Sequence, residues 1–194
     1  MVPHKILVVL ILCATLNNGY SFPCTDDVDV DTDRDIRQEV RYLFLSQVGV
    51  KEKETNSGEM ITKYLDAVGL GPGYAWCAAF IGYVYQEADI PYSGGTAWSP
   101  SWFPDKKVIY KRNTGVGKDS LIAVASPGDV FGIYFRSKQR IAHVGFVDVN
   151  APGSNYVITV EGNTNDTGSR EGDGVYRKYR LKSQIYKIAK WVPP

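Results

Sequence analysis

Gly69-Leu70-Gly71-Pro72-Gly73-Tyr74-Ala75-Trp76-Cys77-Ala78-Ala79-Phe80-Ile81-Gly82-Tyr83-Val84-Tyr85 decides how this chain folds. Its glycine- and proline-rich opening breaks the chain sharply. Residues 76–85 are then apolar nearly all round, the pattern of a central helix buried on every side. Cys77 stands at the start of that helix. Unpaired backbone N–H groups and the positive end of the macrodipole favour a thiolate there, and can draw a cysteine pKa from ~8.5 to between ~3.5 and ~7.5. A cysteine on an apolar helix is also commonly just a small buried hydrophobe, so the segment needs partners before it implies chemistry.

Upstream, Ile36, Val40, Leu43, Phe44 and Val48 recur at helical spacing, and Ile61, Tyr64, Leu65 and Val68 share one face of a second helix. Asn56 with Glu59 three residues on has the form of a capping box for that helix. Downstream the period changes to two. Gly128–Phe135, Ile141–Val149, Tyr156–Glu161, Gly174–Leu181 and Ile185–Val192 read as strands separated by turn-rich segments such as Asn150-Ala151-Pro152-Gly153. Helices followed by a run of hairpin-connected strands predict an α+β domain, the nucleophile-bearing helix packed on an antiparallel sheet of about five strands.

The N-terminus reads differently. Met1 to Lys5 carry one positive charge, Ile6 to Leu16 are apolar, and Gly19-Tyr20-Ser21 places small residues where a signal peptidase cuts. Residues 1–21 are therefore expected to be a secretory leader. Their apolar run is too short to span a bilayer, which needs roughly 20 residues, so no stable membrane insertion is expected once it is removed. Residues 22–34 follow as an acidic linker, and 35–194 as one domain. Alternating aspartates from Asp27 to Asp35 suggest a calcium loop, but no register supplies both the glycine and the glutamate that an EF-hand requires, and no metal or cofactor is expected.

The 194 residues carry a formal charge of +1, with 44% hydrophobic and 22% charged residues. That composition supports a sizeable core, and the balanced charge argues against nucleic acid as a partner. Removing the leader takes His4 and Cys13 with it. What remains is Cys24, Cys77 and a single histidine, His143. Both cysteines are expected to be free thiols.

His143 falls near the start of the second expected strand, sharing a face with Ile141, Gly145 and Val147 by alternation. The third strand ends Thr159-Val160-Glu161-Gly162-Asn163-Thr164-Asn165. Glu161 and Asn163, two apart, would point to the same side, and either could accept the Nδ1–H of His143 and fix its tautomer. Cysteine, histidine and a polar orienting residue are the parts of a cysteine hydrolase.

Taken in order, Gly73-Tyr74-Ala75-Trp76-Cys77-Ala78-Ala79-Phe80, Pro127-Gly128-Asp129-Val130, Ala142-His143-Val144-Gly145-Phe146-Val147 and Glu161-Gly162-Asn163-Thr164-Asn165 resemble the successive signatures of the CHAP family, the cysteine, histidine-dependent amidohydrolases/peptidases. The resemblance covers roughly residues 35–192. It implies a papain-like fold and cleavage of an amide in peptidoglycan or a muropeptide, either an N-acetylmuramoyl-L-alanine bond or one within the stem peptide or cross-bridge. Cys77 would be the nucleophile, His143 the base and then the acid, and Glu161 its orienting residue, with Asn163 assisting. The Cys77 N–H would contribute to an oxyanion hole, and Tyr74 a second donor.

Some phage members carry acidic calcium ligands around the nucleophile, whereas here the neighbours are Val68, Leu70, Ala78 and Ala79. No appended wall-binding domain is expected, and a free-standing catalytic domain could act on the organism's own wall, on a competitor's or on short soluble muropeptides; a secreted monomer is expected. Tyr74, Trp76, Trp98 and Trp102 are the candidate substrate contacts, with Tyr92 nearby. Arg177, Lys178, Arg180, Lys182, Lys187 and Lys190 give the last hairpin a basic character, read as a solvated face. Two rival readings are a non-catalytic wall-binding module and an amidase for a small soluble amide.

Overall fold

A computed structural model describes residues 32–92, 96–112, 125–166 and 172–193. The expected leader, Cys13, Cys24 and most of the acidic linker lie outside these residues. Among the described residues three helices, α1 (Thr32–Ser46), α2 (Glu59–Asp66) and α3 (Cys77–Glu87), precede six strands: β1 (Val108–Lys111), β2 (Val130–Phe135), β3 (Arg140–Val149), β4 (Tyr156–Thr164), β5 (Gly174–Leu181) and β6 (Lys187–Ala189). The strands form one antiparallel sheet in the order β1-β6-β2-β3-β4-β5. The α+β class and the helix-on-sheet arrangement follow the sequence pattern. Among the described residues no helix is long and apolar enough to cross a membrane.

Several local expectations give way to tertiary forces. α1 begins at Thr32, inside the tail of the acidic run, because Asp33 and Asp35 fall in its first turn and complement the helix dipole. Val48 lies beyond the end of α1 and is exposed. No capping box forms at α2: its N-cap is Gly58, with no side-chain cap bond. Asn56 instead adopts a left-handed backbone, with φ 54°, and accepts a hydrogen bond from Asn163. Ile185–Val192 contracts to the three residues of β6, which makes no hairpin with β5 but crosses the sheet to pair with β2 and β1. β1 escaped notice in the sequence because four residues after a proline-rich segment carry too little alternation to register.

α3 is apolar all round because it is covered all round. It packs on α1 and α2 on one side and on β3 and β4 on the other. Phe146 of β3 is the junction, stacked on Phe44 of α1 at 5.1 Å and meeting Phe80 and Tyr85 of α3 edge-on at 5.8 and 5.3 Å. Such offset and edge-to-face rings add to area burial by aligning the ring quadrupoles. Pro127-Gly128-Asp129 ties the same layers together: Tyr85 donates to the Gly128 carbonyl, and Arg37 of α1 pairs with the buried Asp129 carboxylate. Asp148, also buried, accepts from Arg41 of α1 and Arg177 of β5.

The closest approach of helix to sheet is at Gly162 on β4. A Cβ there would lie 2.6 Å from the Trp76 ring and 2.8 Å from Phe80 Cβ. Gly162→Ala is expected to overpack this contact and lower stability by about 1–3 kcal/mol, read as a reduced urea midpoint at unchanged slope; unaltered stability would mean that the helix start is free to shift.

Candidate active site

Three elements bring three side chains into one line. The start of α3 supplies Cys77, β3 supplies His143 and β4 supplies Glu161. Cys77 is a free thiol, 7% exposed, and His143 is the neighbour that does most to lower its pKa. On the far side of the ring, His143 Nε2 lies 2.7 Å from Glu161 Oε2. The expectation that Nδ1 would face the carboxylate is therefore corrected: Nε2 does so, which leaves Nδ1 as the ring nitrogen for Cys77. An irregularity in the β2–β3 register, where Ile133 pairs His143 but Tyr134 pairs Ile141, interrupts the alternation just before the histidine. As a result Ile141 joins Val144 in the helix-side core instead of sharing the face of His143. Bulges beside a functional residue commonly re-aim it in this way.

Glu161 is fully buried, and each of its oxygens is occupied. Oε1 accepts from Thr159 Oγ1 at 2.6 Å and Arg180 Nε at 2.7 Å, while Oε2 accepts from His143 and Arg180 Nη2. The guanidinium thus grips the carboxylate in a two-pronged pair, the strongest geometry open to it. Arg180 was read as part of a solvated basic face, and that reading is overturned. Much of the proposed patch is committed internally, with Arg177 on Asp148, Lys182 buried on the Ala151 carbonyl and Lys190 on Asp33. Residues 176, 178 and 180 share the less exposed face of β5, and the β4–β5 register, Val157 opposite Arg180 and Glu161 opposite Tyr176, brings Arg180 to the Glu161 carboxylate.

Asn163 is not a second orienting group for the histidine. The β4–β5 register shifts between Glu161 and Thr164, and Asn163 takes a left-handed backbone with φ 52°. Its side chain turns to the peptide just before Cys77 instead: Oδ1 accepts from the Trp76 N–H at 3.3 Å, and Nδ2 donates to Asn56 and Glu52. Glu52 also accepts from Trp76 Nε1 at 2.6 Å. Trp76, expected among the substrate contacts, is consequently a fully buried anchor for the start of α3. Trp102 is likewise core, 1% exposed, its Nε1 bonded to the Thr96 carbonyl and its ring packed on Tyr85, Tyr92 and Trp191. Tyr74 and Trp98 remain at the surface, 57% and 52% exposed. A residue with no sequence signal joins the site: Ser99, buried in a short 3-10 turn, places Oγ 3.7 Å from Cys77 Sγ.

Charge follows from these contacts. Burial alone would raise the Cys77 pKa, but hydrogen bonding and charge from His143, with smaller help from Ser99 and the Val144 backbone, lower it below the ordinary thiol value. Burial would depress His143, yet Cys77 and Glu161 together raise it to about 9. Against its own burial, Glu161 is held well below the usual carboxylate range by Arg180 first and His143 second. The site therefore favours a thiolate–imidazolium pair. Among the described residues no three His, Cys, Asp or Glu side chains group as a metal site.

Compared with known protein families, curated proteins and solved structures, the chain matches none of the three.

Alkylation of Cys77 by iodoacetamide is expected to switch on at an inflection below the ordinary thiol value of ~8.5, with a second change near pH 9 as His143 loses its proton. Below the first inflection the thiol is protonated and slow; between the two the ion pair persists. A single titration at the ordinary thiol value would contradict this electrostatic assignment.

Proposed function

We propose that this protein is a secreted cysteine amidohydrolase of the CHAP type, with a papain-like arrangement, that cleaves an amide bond in peptidoglycan or its fragments. One observation carries the reading: His143, 2.7 Å from the buried Glu161 carboxylate, is also the group that most lowers the pKa of the helix-start thiol Cys77, and the three come from separate elements. Most cysteines on apolar helices have no such neighbours, and a binding module would have no use for them. The leader-like N-terminus supports an extracellular substrate, and the family resemblance supplies the peptidoglycan class.

In this reading, Cys77 Sγ attacks the scissile carbonyl carbon as the thiolate. The oxyanion that forms faces the N–H groups at the start of α3. His143, already an imidazolium, gives its Nδ1 proton to the leaving amine as the C–N bond breaks, leaving a thioester on Cys77. Water then enters; the now neutral His143 takes its proton as it attacks the thioester carbonyl, and Cys77 leaves as the thiolate. Glu161 touches neither substrate nor sulfur. It fixes the ring through Nε2 and stabilises the charged form, while Arg180 keeps the carboxylate itself ionised.

Digestion of purified peptidoglycan, with fragments identified by mass spectrometry, tests the reading. Wild type is expected to release products with new amine and carboxyl termini, and Cys77→Ala none; the termini distinguish an N-acetylmuramoyl-L-alanine amidase from an endopeptidase. Binding without release by the wild type would replace the enzyme with a wall-binding module. Glu161→Gln is expected to lower kcat by about 10²–10⁴-fold and to move the Cys77 alkylation inflection upward, because a neutral amide no longer supports the imidazolium.

A further inference from the structure

Other arginines of the fold are paired with carboxylates: Arg41 and Arg177 share Asp148, Arg37 pairs with Asp129, and Arg180 with Glu161. Arg140 is held differently. Its guanidinium lies 4.0 Å from the centroid of the Trp98 ring, and Nη1 donates to the Ile141 carbonyl at 3.0 Å. Among the described residues it has no Asp or Glu partner. Stacking on an indole fixes the plane of a guanidinium while leaving edge N–H groups directed outward, the geometry that recognises a carboxylate.

Position makes this pair relevant to the nucleophile. Trp98 immediately precedes Ser99, whose Oγ is 3.7 Å from Cys77 Sγ, and neighbouring Cα atoms are only about 3.8 Å apart. Arg140 begins β3, three residues before His143. Trp98 is half exposed, so the stack borders solvent, one residue along the chain from the serine that approaches the thiol. Within the line of Cys77, His143, Glu161 and Arg180, thiolate balances imidazolium and Glu161 balances Arg180, whereas the charge of Arg140 is paired with no described carboxylate.

We infer that the Trp98–Arg140 stack is a carboxylate-binding subsite, selecting an acyl donor that carries a free carboxylate close to the scissile amide. The inference rests on Cys77 being the nucleophile of the proposed hydrolase and narrows its substrates to anionic peptides.

Alkylation of Cys77 in the full protein by iodoacetate, which carries the carboxylate, and by iodoacetamide, which does not, tests the subsite without a known substrate. The ratio of the two rates is expected to fall by about fivefold in Arg140→Gln, the size of effect one charge exerts across a partly hydrated site. Arg140→Lys, which keeps the charge, is expected to retain most of the ratio and controls for misfolding. An unchanged ratio in Arg140→Gln, with alkylation still rapid and activated below the ordinary thiol value, overturns the subsite and leaves the hydrolase reading standing. Slow alkylation that titrates as an ordinary thiol in the wild type overturns both.

Discussion

A carboxylate with no access to water governs the arrangement of this protein. Glu161 is buried beneath the sheet surface, and an unpaired charge there would cost several kcal/mol even after relaxation. Its ionised form is tolerated only because Thr159, Arg180 and His143 fill its lone pairs together. That requirement fixes the register of β4 against β5 and the rotamer of Arg180, and it sets the orientation of His143 and hence the direction from which the histidine meets the thiol. Removing one partner, at about 3–5 kcal/mol for a buried pair broken on one side, would disturb all three.

The other half of the geometry is apolar. Phe146 locks β3 to α1 and α3, and Gly162 lets Trp76 lie directly on β4. Together they hold the first turn of α3 at a set height above the sheet. Asn163, Glu52 and Asn56 finish the task by tying down the peptide just before the thiol. Cys77 is therefore positioned from behind by packing and backbone hydrogen bonds, and His143 from the side by a charge network.

The sequence disclosed the parts whose signals are local. Apolar character all round announced α3, period two announced β2 to β5, and a lone histidine beside a thiol-bearing helix start announced the pair that meets. The missing pieces all depend on which strand lies beside which. Arg180 looked like a solvated cation because its acid sits on another strand, and Ser99 lay in a turn with no periodicity. Asn163 seemed equivalent to Glu161 until a register shift turned it away. Trp76 and Trp102 seemed suited to ligands because aromatic residues in loops have no pattern that separates lining from core. Asn56 and Glu59 had the spacing of a cap, but Asn163 competes successfully for the asparagine.

The crossing of β6 has a consequence for the order of assembly. β6 lies between β1 and β2, so β1 joins the sheet only through it. Just beyond β6, Trp191 donates to the Trp102 carbonyl and packs on its ring, securing the turn that carries Ser99. These residues follow the other described elements and emerge from a ribosome after them. Helices and the β2–β5 meander can form beforehand from nearer contacts, which close at lower entropic cost. The surroundings of the thiol, however, cannot be completed until β6 has crossed the sheet, so the setting of Cys77 is finished only after the meander has formed.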